Sequence, residues 1–556
     1  MIYVVIINIK KINFSIYEKD TSIIEGRILD YKINGNQLQI KCKAKEKIIV
    51  FYTIKTEQEK NFYESNIKIG DIYLFNGTLN NPIDNTNFNL FSYKNYLLSN
   101  KIYYTMDVNN LILIKKNHNI LYKIKNYIYK SIKEKESYKY LLTFLLGDTK
   151  EIDNDILVKY RSCGISHLIA ISGMHITLFA TILSYLLKWI KSKKISLIII
   201  ILILWLYAFL IGYTPSVTRA VITFSITNLF KIYNIKIKPE KILISTGICF
   251  LIYNPYLIYN TGFLFSYIIS FYIILSTNII KKYKNYIIKT FIISIVSFLA
   301  SIPIIGITFY ETNILSPFIN ILFIPLISYI IFPLSIITYF INILDPIYMF
   351  FITTLEKIIE ICNRYFIYKL TIPHMNIYLI VIYYILLIII IKYQKKCIII
   401  LILILLLHTN QKILKNHSNI TMIDVEQGDS ILIELPYNKG NILIDTGGKI
   451  KYKTEKWKER KNKTITENTL IPFFKSTGIK KINFLILSHG DYDHMGEAIN
   501  LVENFKVEKV IFNCGKFNEL EQELIEVLDK KKIPYYSCIK ELNIDDNKLY
   551  FLNNKD

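Results

Sequence analysis

Four residues with metal-binding side chains lie within six positions near the end of the chain: His489, Asp491, Asp493 and His494. They follow the run LILS, which is typical of a β-strand, and precede a helix expected to begin near Met495. Imidazole nitrogens and carboxylate oxygens gathered in one loop are a donor set that suits divalent metals. A bound metal lowers the pKa of water and polarises a phosphoryl oxygen, so the four residues predict a metal-dependent hydrolase site.

The spacing resembles the HxHxDH motif of the metallo-β-lactamase superfamily, with Asp491 in place of the second histidine. With the upstream runs MIDVEQGDSILIEL and NILIDTGG it resembles the ComEC family of competence DNA-internalisation proteins. The resemblance implies that Asp493 is catalytic and orients the nucleophilic water. It also implies that Asp445 is structural or contacts the metal ligands without binding the metal itself. It implies Zn or Mn as the metal. Glu426 stands where family members usually have glycine.

The second half of the superfamily fold normally supplies further histidine and aspartate ligands. This sequence ends at Asp556 and has no histidine after His494. We therefore expect a partial α/β metallo-β-lactamase-like domain over residues 418–556, with doubtful metal occupancy and absent or crippled activity. The family also usually has spanning helices before its external domain, so the start of the chain is expected to be truncated or misassigned.

Composition indicates what kind of protein carries these residues. The 556 residues are 52% hydrophobic and their mean hydropathy is +0.31, which predicts a polytopic α-helical membrane protein. The long apolar runs cover 167–190, 195–211, 217–230, 242–253, 263–280, 287–307, 314–344, 377–391 and 397–407. Some are short or interrupted by proline, so we expect roughly nine to eleven crossings.

Lysines orient the predicted bundle. They cluster after the first, third and fifth apolar runs and between the last two, whereas the loops at 212–216, 254–261 and 311–313 contain neither lysine nor arginine. The positive-inside rule then places the lysine loops in the cytoplasm and both water-soluble regions outside the cytoplasmic membrane. The net charge of +23 is itself weak support for nucleic-acid binding, because an AT-rich coding sequence also enriches lysine.

The region before the bundle has a different pattern. Residues 21–118 contain five short alternating runs separated by Asn, Gly and Asp, which predicts a small OB-like β-barrel. An apolar stub (1–20) precedes it, and an amphipathic linker (119–165) leads to the channel domain (166–408). Seven dispersed cysteines predict no disulfide framework.

Polar residues interrupt the apolar runs at His167, Ser172, His175 and Arg219. Ionisable groups at membrane depth usually face a bundle interior or a hydrated path, so these four are candidate channel-lining residues. Ser172 and His175 are expected to share a helix face. They are interpreted as a buried hydrogen-bonded pair, as part of a DNA path, or as a nucleophile pair lacking a partner base.

Further segments resemble ComEC blocks in the expected order, including GISHLIAISGMHI, PSVTRA, NPYLIYNTGFLFSY and ILSPFINILFIPL. The resemblance implies transport of single-stranded DNA during natural transformation, with membrane lipid, a DNA receptor and a cytoplasmic ATPase as partners, and it leaves a homodimer open. A membrane-anchored metal-dependent nuclease and an inactive pseudogene product are the alternatives.

Overall fold

The computed structural model describes residues 15–393, 397–449, 455–461 and 463–551. Most of the predicted N-terminal stub therefore lies outside the described residues. The remainder consists of a β-barrel, a helical bundle and a sheet domain, in that order along the chain.

The barrel is built from five strands: β1 (Ile23–Asn34), β2 (Gln37–Lys43), β3 (Lys47–Thr53), β4 (Ile72–Asn80) and β5 (Ile102–Lys115). They close in the order β1-β2-β3-β5-β4. Alternate residues point inward, as in β2, where Leu38, Ile40 and Cys42 are fully buried. Helices α1 (Glu57–Asn66) and α2 (Tyr93–Ser99) join the strands. The predicted OB-like barrel is confirmed.

The bundle contains helices α3 to α18 and a two-stranded sheet of β6 and β7. The helices are α3 (Ile120–Lys133), α4 (Tyr138–Leu141), α5 (Asn154–Ser162), α6 (Ser166–Ile169), α7 (Gly173–Leu186), α8 (Lys193–Ile211), α9 (Pro215–Ile232), α10 (Pro239–Tyr253), α11 (Thr261–Leu275), α12 (Thr277–Lys281), α13 (Tyr286–Thr308), α14 (Ser316–Pro325), α15 (Phe332–Phe340), α16 (Asp345–Tyr365), α17 (Ile377–Tyr393) and α18 (Cys397–Thr409). The strands are β6 (Glu311–Asn313) and β7 (Lys369–Thr371), which pair antiparallel.

Four segments of the described chain are long and apolar enough to cross a membrane: Ser166–Leu186, Lys193–Ile211, Tyr286–Thr308 and Ser316–Phe340. Helices α11, α17 and α18 are apolar but shorter. The membrane class predicted from composition is confirmed, and the number of crossings stays a prediction. The segment from Ser166 to Leu186 is not one continuous helix, because residues 170–172 separate α6 from α7.

The sheet domain has six strands in one sheet: β8 (Asn419–Met422), β9 (Ile431–Glu434), β10 (Asn441–Ile444), β11 (Ile482–Ile486), β12 (Val507–Phe512) and β13 (Tyr535–Ser537). β8, β9 and β10 pair antiparallel, and β10 to β13 are parallel. Its helices are α19 (Ile471–Thr477), α20 (Tyr492–Met495), α21 (Ala498–Asn504) and α22 (Glu519–Lys531), and a hairpin of β14 (Glu541–Ile544) and β15 (Asn547–Tyr550) follows. Helices on a mostly parallel sheet confirm the predicted α/β class.

Two of the seven cysteines depart from the expectation of no disulfide. Cys514 and Cys538 form a disulfide, with their Cα atoms 4.6 Å apart. They follow β12 and β13, which are parallel neighbours, so the loops after both strands meet at one edge of the sheet. Their sequence separation of 24 residues gave no sign of this proximity.

One contact between the barrel and the sheet domain is formed by residues 84–92, here called the clasp loop. The side chain of Asn87 donates to the carbonyl of Asp424 (2.7 Å) and accepts from its amide (2.9 Å). Phe88 packs on Phe473 of α19 with ring centroids 4.8 Å apart. The Thr86 hydroxyl, followed by the Glu426 amide, lowers the pKa of the Asp424 carboxyl.

Candidate metal centre and intramembrane polar cluster

The metal-binding motif lies at the carboxyl ends of two adjacent parallel strands. β10 ends at Ile444 and is followed by Asp445, and β11 ends at Ile486 shortly before Ser488. Parallel neighbours bring their carboxyl ends to the same edge of a sheet, so the turn after β10 lies beside the motif. Asp445 has a φ of +58°, a left-handed conformation that aspartate tolerates better than most residues.

Asp445 anchors the motif. Its carboxylate is buried and accepts from the Ser488 amide at 2.8 Å and from the Ser488 hydroxyl at 2.5 Å. The same carboxylate lies 3.0 Å from Nδ1 of His494. A carboxylate behind an imidazole fixes the ring orientation and leaves Nε2 for a metal. Asp445 therefore holds both the start and the end of the motif.

Three of the four predicted ligands come together. The ligand atoms of His489, Asp493 and His494 all lie within 4.8 Å of one another. Nε2 of His494 is 3.8 Å from an oxygen of Asp493, and the two imidazole centroids are 3.7 Å apart. Asp491 lies outside this group and precedes the one-turn helix α20, with its carboxylate 3.5 Å from Nε2 of His489.

The helix that carries the ligands starts earlier than the sequence indicated. α20 begins at Tyr492, and a second helix, α21, begins at Ala498, whereas one helix from near Met495 was expected. Asp493 and His494 consequently lie inside a single helical turn. The Gly496 amide closes this turn by donating to the Tyr492 carbonyl at 2.9 Å.

Two glycines allow the neighbouring turns to touch this helix. A Cβ atom on Gly428 would lie 1.5 Å from the Asp493 carbonyl oxygen, and one on Gly448 would lie 2.3 Å from that of Tyr492. Both glycines have positive φ values. Any larger residue would push the ligand helix away from Asp445.

Ser488 is a functional residue that the sequence analysis missed. Its hydroxyl contacts Asp445 and also lies 2.9 Å from Nδ1 of His489. Ser488 therefore links the Asp445 carboxylate to His489, whereas His494 contacts that carboxylate directly. The available signal was its position, a small hydroxyl residue directly before the first ligand at a strand end.

The predicted channel-lining residues are partly gathered. Ser172 does not lie within a helix but caps α7, with its amide 3.2 Å and its hydroxyl 3.1 Å from Nδ1 of His175. Arg219 on α9 approaches the neighbouring Gly173 and donates to the Ser270 hydroxyl at 2.8 Å. His167 lies on α6, before the helix break, with an accessible side chain that is close enough to His175 to interact with it electrostatically. The expected shared helix face is therefore replaced by a cap.

Two polar atoms of this cluster lack a hydrogen-bond partner among the described residues. They are Nε2 of His175, which is buried, and Nε of Arg219. The His175 ring also packs edge-on against Phe332, with centroids 4.8 Å apart. A buried nitrogen without a partner is costly in an apolar surrounding, unless water or a polar ligand completes the bond.

Comparison with known proteins matches both regions that carry these sites. Residues 144–396 match the family model described as competence protein, and residues 423–547 match the metallo-β-lactamase superfamily. ComE operon protein 3 of Bacillus subtilis (strain 168) is 27% identical over 523 residues, which cover 89% of this chain and 67% of that protein. The chain carries a competence-protein domain and a metallo-β-lactamase domain, and its similarity to ComE operon protein 3 covers most of its length.

A second relative matches a smaller part of the chain. The uncharacterized protein MG316 homolog of Mycoplasma pneumoniae (strain ATCC 29342 / M129 / Subtype 1) is 30% identical over 189 residues. The match covers 33% of this chain and 47% of that protein. The chain thus spans about two thirds of the first ComEC-family relative and about half of the second.

Similarity to competence proteins supports a role in competence DNA uptake, and the metallo-β-lactamase domain implies a divalent metal. The donor set fits such an ion, since two imidazoles and one carboxylate converge on one point. Each imidazole already has its Nδ1 atom occupied by Asp445 or Ser488, which leaves Nε2 on both rings for coordination.

Proposed function

We propose that this protein transports single-stranded DNA across the cytoplasmic membrane during natural transformation. The observation that carries the proposal is the cluster of half-buried Ser172, buried His175 and half-buried Arg219 among apolar helices. In the part of the chain that the structure describes, one nitrogen of His175 and one of Arg219 have no hydrogen-bond partner. Ionisable groups retained at membrane depth usually line a hydrated path or a substrate site. An arginine with hydrogen-bonding capacity to spare suits a passing phosphate.

The contacts at one end of the bundle support an external position for both water-soluble regions. Asn254, in a loop without lysine or arginine, donates to the Ser99 carbonyl of the barrel at 2.8 Å. Glu311, in a second such loop, forms an ion pair with Lys475 of the sheet domain at 2.8 Å. By the positive-inside rule these loops are external, so the barrel and the metal cluster face the outer medium.

The disulfide supports the same orientation independently. Disulfides persist in oxidising compartments and are rare in a reducing cytosol. The Cys514–Cys538 bond lies in the sheet domain, which suits an extracytoplasmic position for that domain. The DNA would meet the barrel first, enter the bundle near Ser172 and leave on the lysine-rich side.

The transport proposal is tested by transformation of a competent strain in which this chain is the sole copy. We expect Arg219→Leu to abolish uptake, because it removes the charge facing the path. Arg161→Leu, which alters an exposed arginine on α5, is the matched control and should transform normally. Membrane levels of both variants are measured alongside. Normal transformation by a fully expressed Arg219→Leu protein contradicts the proposal.

The metal cluster favours a second activity, the hydrolysis of DNA at the outer surface. We propose that His489, Asp493 and His494 hold Zn or Mn, which when bound would activate water for attack on a phosphodiester. Asp445 and Ser488 keep the two imidazoles in place. Asp491 stays available beside His489 as a proton acceptor or further ligand. A DNA receptor, a cytoplasmic ATPase and a homodimer remain partner predictions from the family.

Incubation of the purified full chain with labelled DNA and Mn or Zn tests this activity. Cleavage that needs added metal and disappears in His494→Ala supports the nuclease. A chain that binds metal but leaves DNA intact restricts its function to transport.

A further inference from the structure

A strongly basic segment links the metal loop to the barrel. Residues 449–463 contain seven lysines and one arginine against two glutamates. Lysine and arginine make up 67 of the 556 residues, so a segment of this length with average composition would hold about two. The described part consists of Lys449, residues 455–461 and Lys463. We call residues 455–461 and Lys463 the basic strap.

The basic strap rests on the turn between β1 and β2. Nε of Arg460 donates to the Asn36 side chain at 2.7 Å. The backbone amide of Lys461 donates to the Asn34 side chain at 2.9 Å. Lys60 donates to the Trp457 carbonyl at 3.1 Å, and Trp457 packs against the barrel core. At the other end, Lys449 directly follows Gly448, which touches the ligand helix. The described ends of the segment therefore lie beside the ligand helix and on the barrel.

Attachment to the barrel explains only some of the charges. Arg460 is used in a contact, and Lys458 lies over the Trp457 ring at 5.1 Å and pairs with Glu455 at 3.4 Å. Lys456, Lys461 and Lys463 are exposed. Among the described residues, their amines have no hydrogen bond or ion pair. A strap that served only to hold two domains together would not need these three charges.

We propose that Lys456, Lys461 and Lys463 bind the phosphate backbone of single-stranded DNA between the barrel and the metal cluster. The inference rests on the proposed function, because it names the contact surface for the transported strand. Lysines on a surface beside the proposed DNA path raise local strand concentration without reading sequence. An anionic lipid surface presents similar charge, so the experiment includes it as a separate arm.

The test measures binding of a fluorescent oligothymidylate to the full chain in neutral detergent, by anisotropy over a salt series. Each lost phosphate contact on a single strand reduces the slope of log affinity against log salt by about 0.7. The variant Lys456→Gln/Lys461→Gln/Lys463→Gln should therefore bind more weakly, with a slope shallower by about 2. The control Lys506→Gln/Lys530→Gln/Lys540→Gln removes the same charge from exposed positions elsewhere in the sheet domain and should bind like wild type.

The outcomes separate the inference from the function on which it depends. If both variants and wild type show equal affinity and slope, the DNA-binding role of the basic strap is overturned, while the transport proposal still stands. Absence of binding by wild type overturns both. Unchanged oligothymidylate binding, with loss of binding to phosphatidylglycerol vesicles only, assigns the lysines to lipid and also overturns the inference. Restored binding in the corresponding Lys→Arg triple variant supports it, because charge is kept.

Discussion

At the scale of single residues, Asp445 organises the candidate metal centre. It contacts Ser488 and His494 directly, and through Ser488 it is linked to His489. Two of the three converging ligands therefore depend on one buried carboxylate. The sequence located Asp445, both histidines and Asp493, because a strand-end motif fixes residue type and spacing. It did not reveal that Asp491 lies outside the group, since the direction of a turn depends on packing.

Removal of the Asp445 carboxylate should weaken metal binding. We expect Asp445→Asn and Ser488→Ala each to lower the affinity for Mn or Zn by about 10- to 100-fold, because groups behind metal ligands commonly contribute that much. Competition with a chromophoric chelator measures the affinity. Ser537→Ala, at an exposed position of β13, is the control and should bind metal normally. Wild-type affinity in both test variants contradicts the anchoring role.

A buried ion pair gives the sheet domain a pH dependence. Lys412 and Glu434 pair where the bundle joins the sheet, and burial lowers the pKa of Lys412 to about 8. The folded-state pKa lies below the ordinary lysine pKa of 10.5, so the unfolded state binds more protons between these values. The free energy of unfolding should therefore rise between pH 8 and 10.5, by at most about 1.4 kcal/mol per pH unit.

Thermal unfolding followed by tryptophan fluorescence across this pH range checks the prediction. The double variant Lys412→Met/Glu434→Gln removes the titrating amine together with its partner charge and should lose the rise in Tm. Lys530→Met, which changes an exposed lysine, should keep it. A Tm that falls with pH equally in wild type and in the double variant is the contrary result.

At the scale of elements, the clasp loop and the broken helix α6–α7 are the features that local sequence patterns did not reveal. The sequence predicted one apolar run over 167–190, and hydropathy alone does not show a break. Residues 170–172 leave the helix because Ser172, with an extended backbone at φ −116° and ψ 174°, caps the next one. Serine is among the preferred N-cap residues, and that signal was available. The role of Ser172 in a channel stays a prediction.

A single substitution should weaken the contact between the clasp loop and the sheet domain. Asn87→Ala removes both hydrogen bonds to Asp424, and each such bond contributes about 0.5–1.5 kcal/mol. We expect amide exchange at Asp424 to accelerate by roughly 5- to 150-fold, which corresponds to about 1–3 kcal/mol. Hydrogen exchange with mass spectrometry measures it. Asn61→Ala, at an exposed position on α1, should leave exchange at Asp424 unchanged.

At the scale of the whole molecule, the three-part architecture could be predicted because its signals are local. Alternating runs gave the barrel, long apolar runs gave the membrane class, and the ligand motif gave the metallo-β-lactamase region. Contacts between these parts could not be predicted. Asn87 and Asp424 are separated by 337 positions, and no periodicity connects such distant residues. The same limitation applied to the disulfide.

Thiol counting tests the orientation of the whole molecule. If the sheet domain is external, Cys514 and Cys538 should be oxidised in cells, which leaves five of the seven cysteines to react with maleimide after denaturation. Addition of a reductant should raise the number to seven. Rapid alkylation followed by intact mass measurement gives both counts. Seven reactive thiols without reductant would place the domain in the cytosol.

The clasp loop also determines how relatives of this protein can recombine. Its Asn87 belongs to the barrel, its partner Asp424 to the sheet domain, and Tyr310 of the bundle donates to the Asn89 carbonyl of the same loop. A chimaera that takes only its barrel from another species would combine a foreign clasp loop with the original Asp424. Exchange of the barrel and the sheet domain as a pair keeps the clasp loop with its own Asp424 partner. Recombination between relatives should therefore exchange the two domains together.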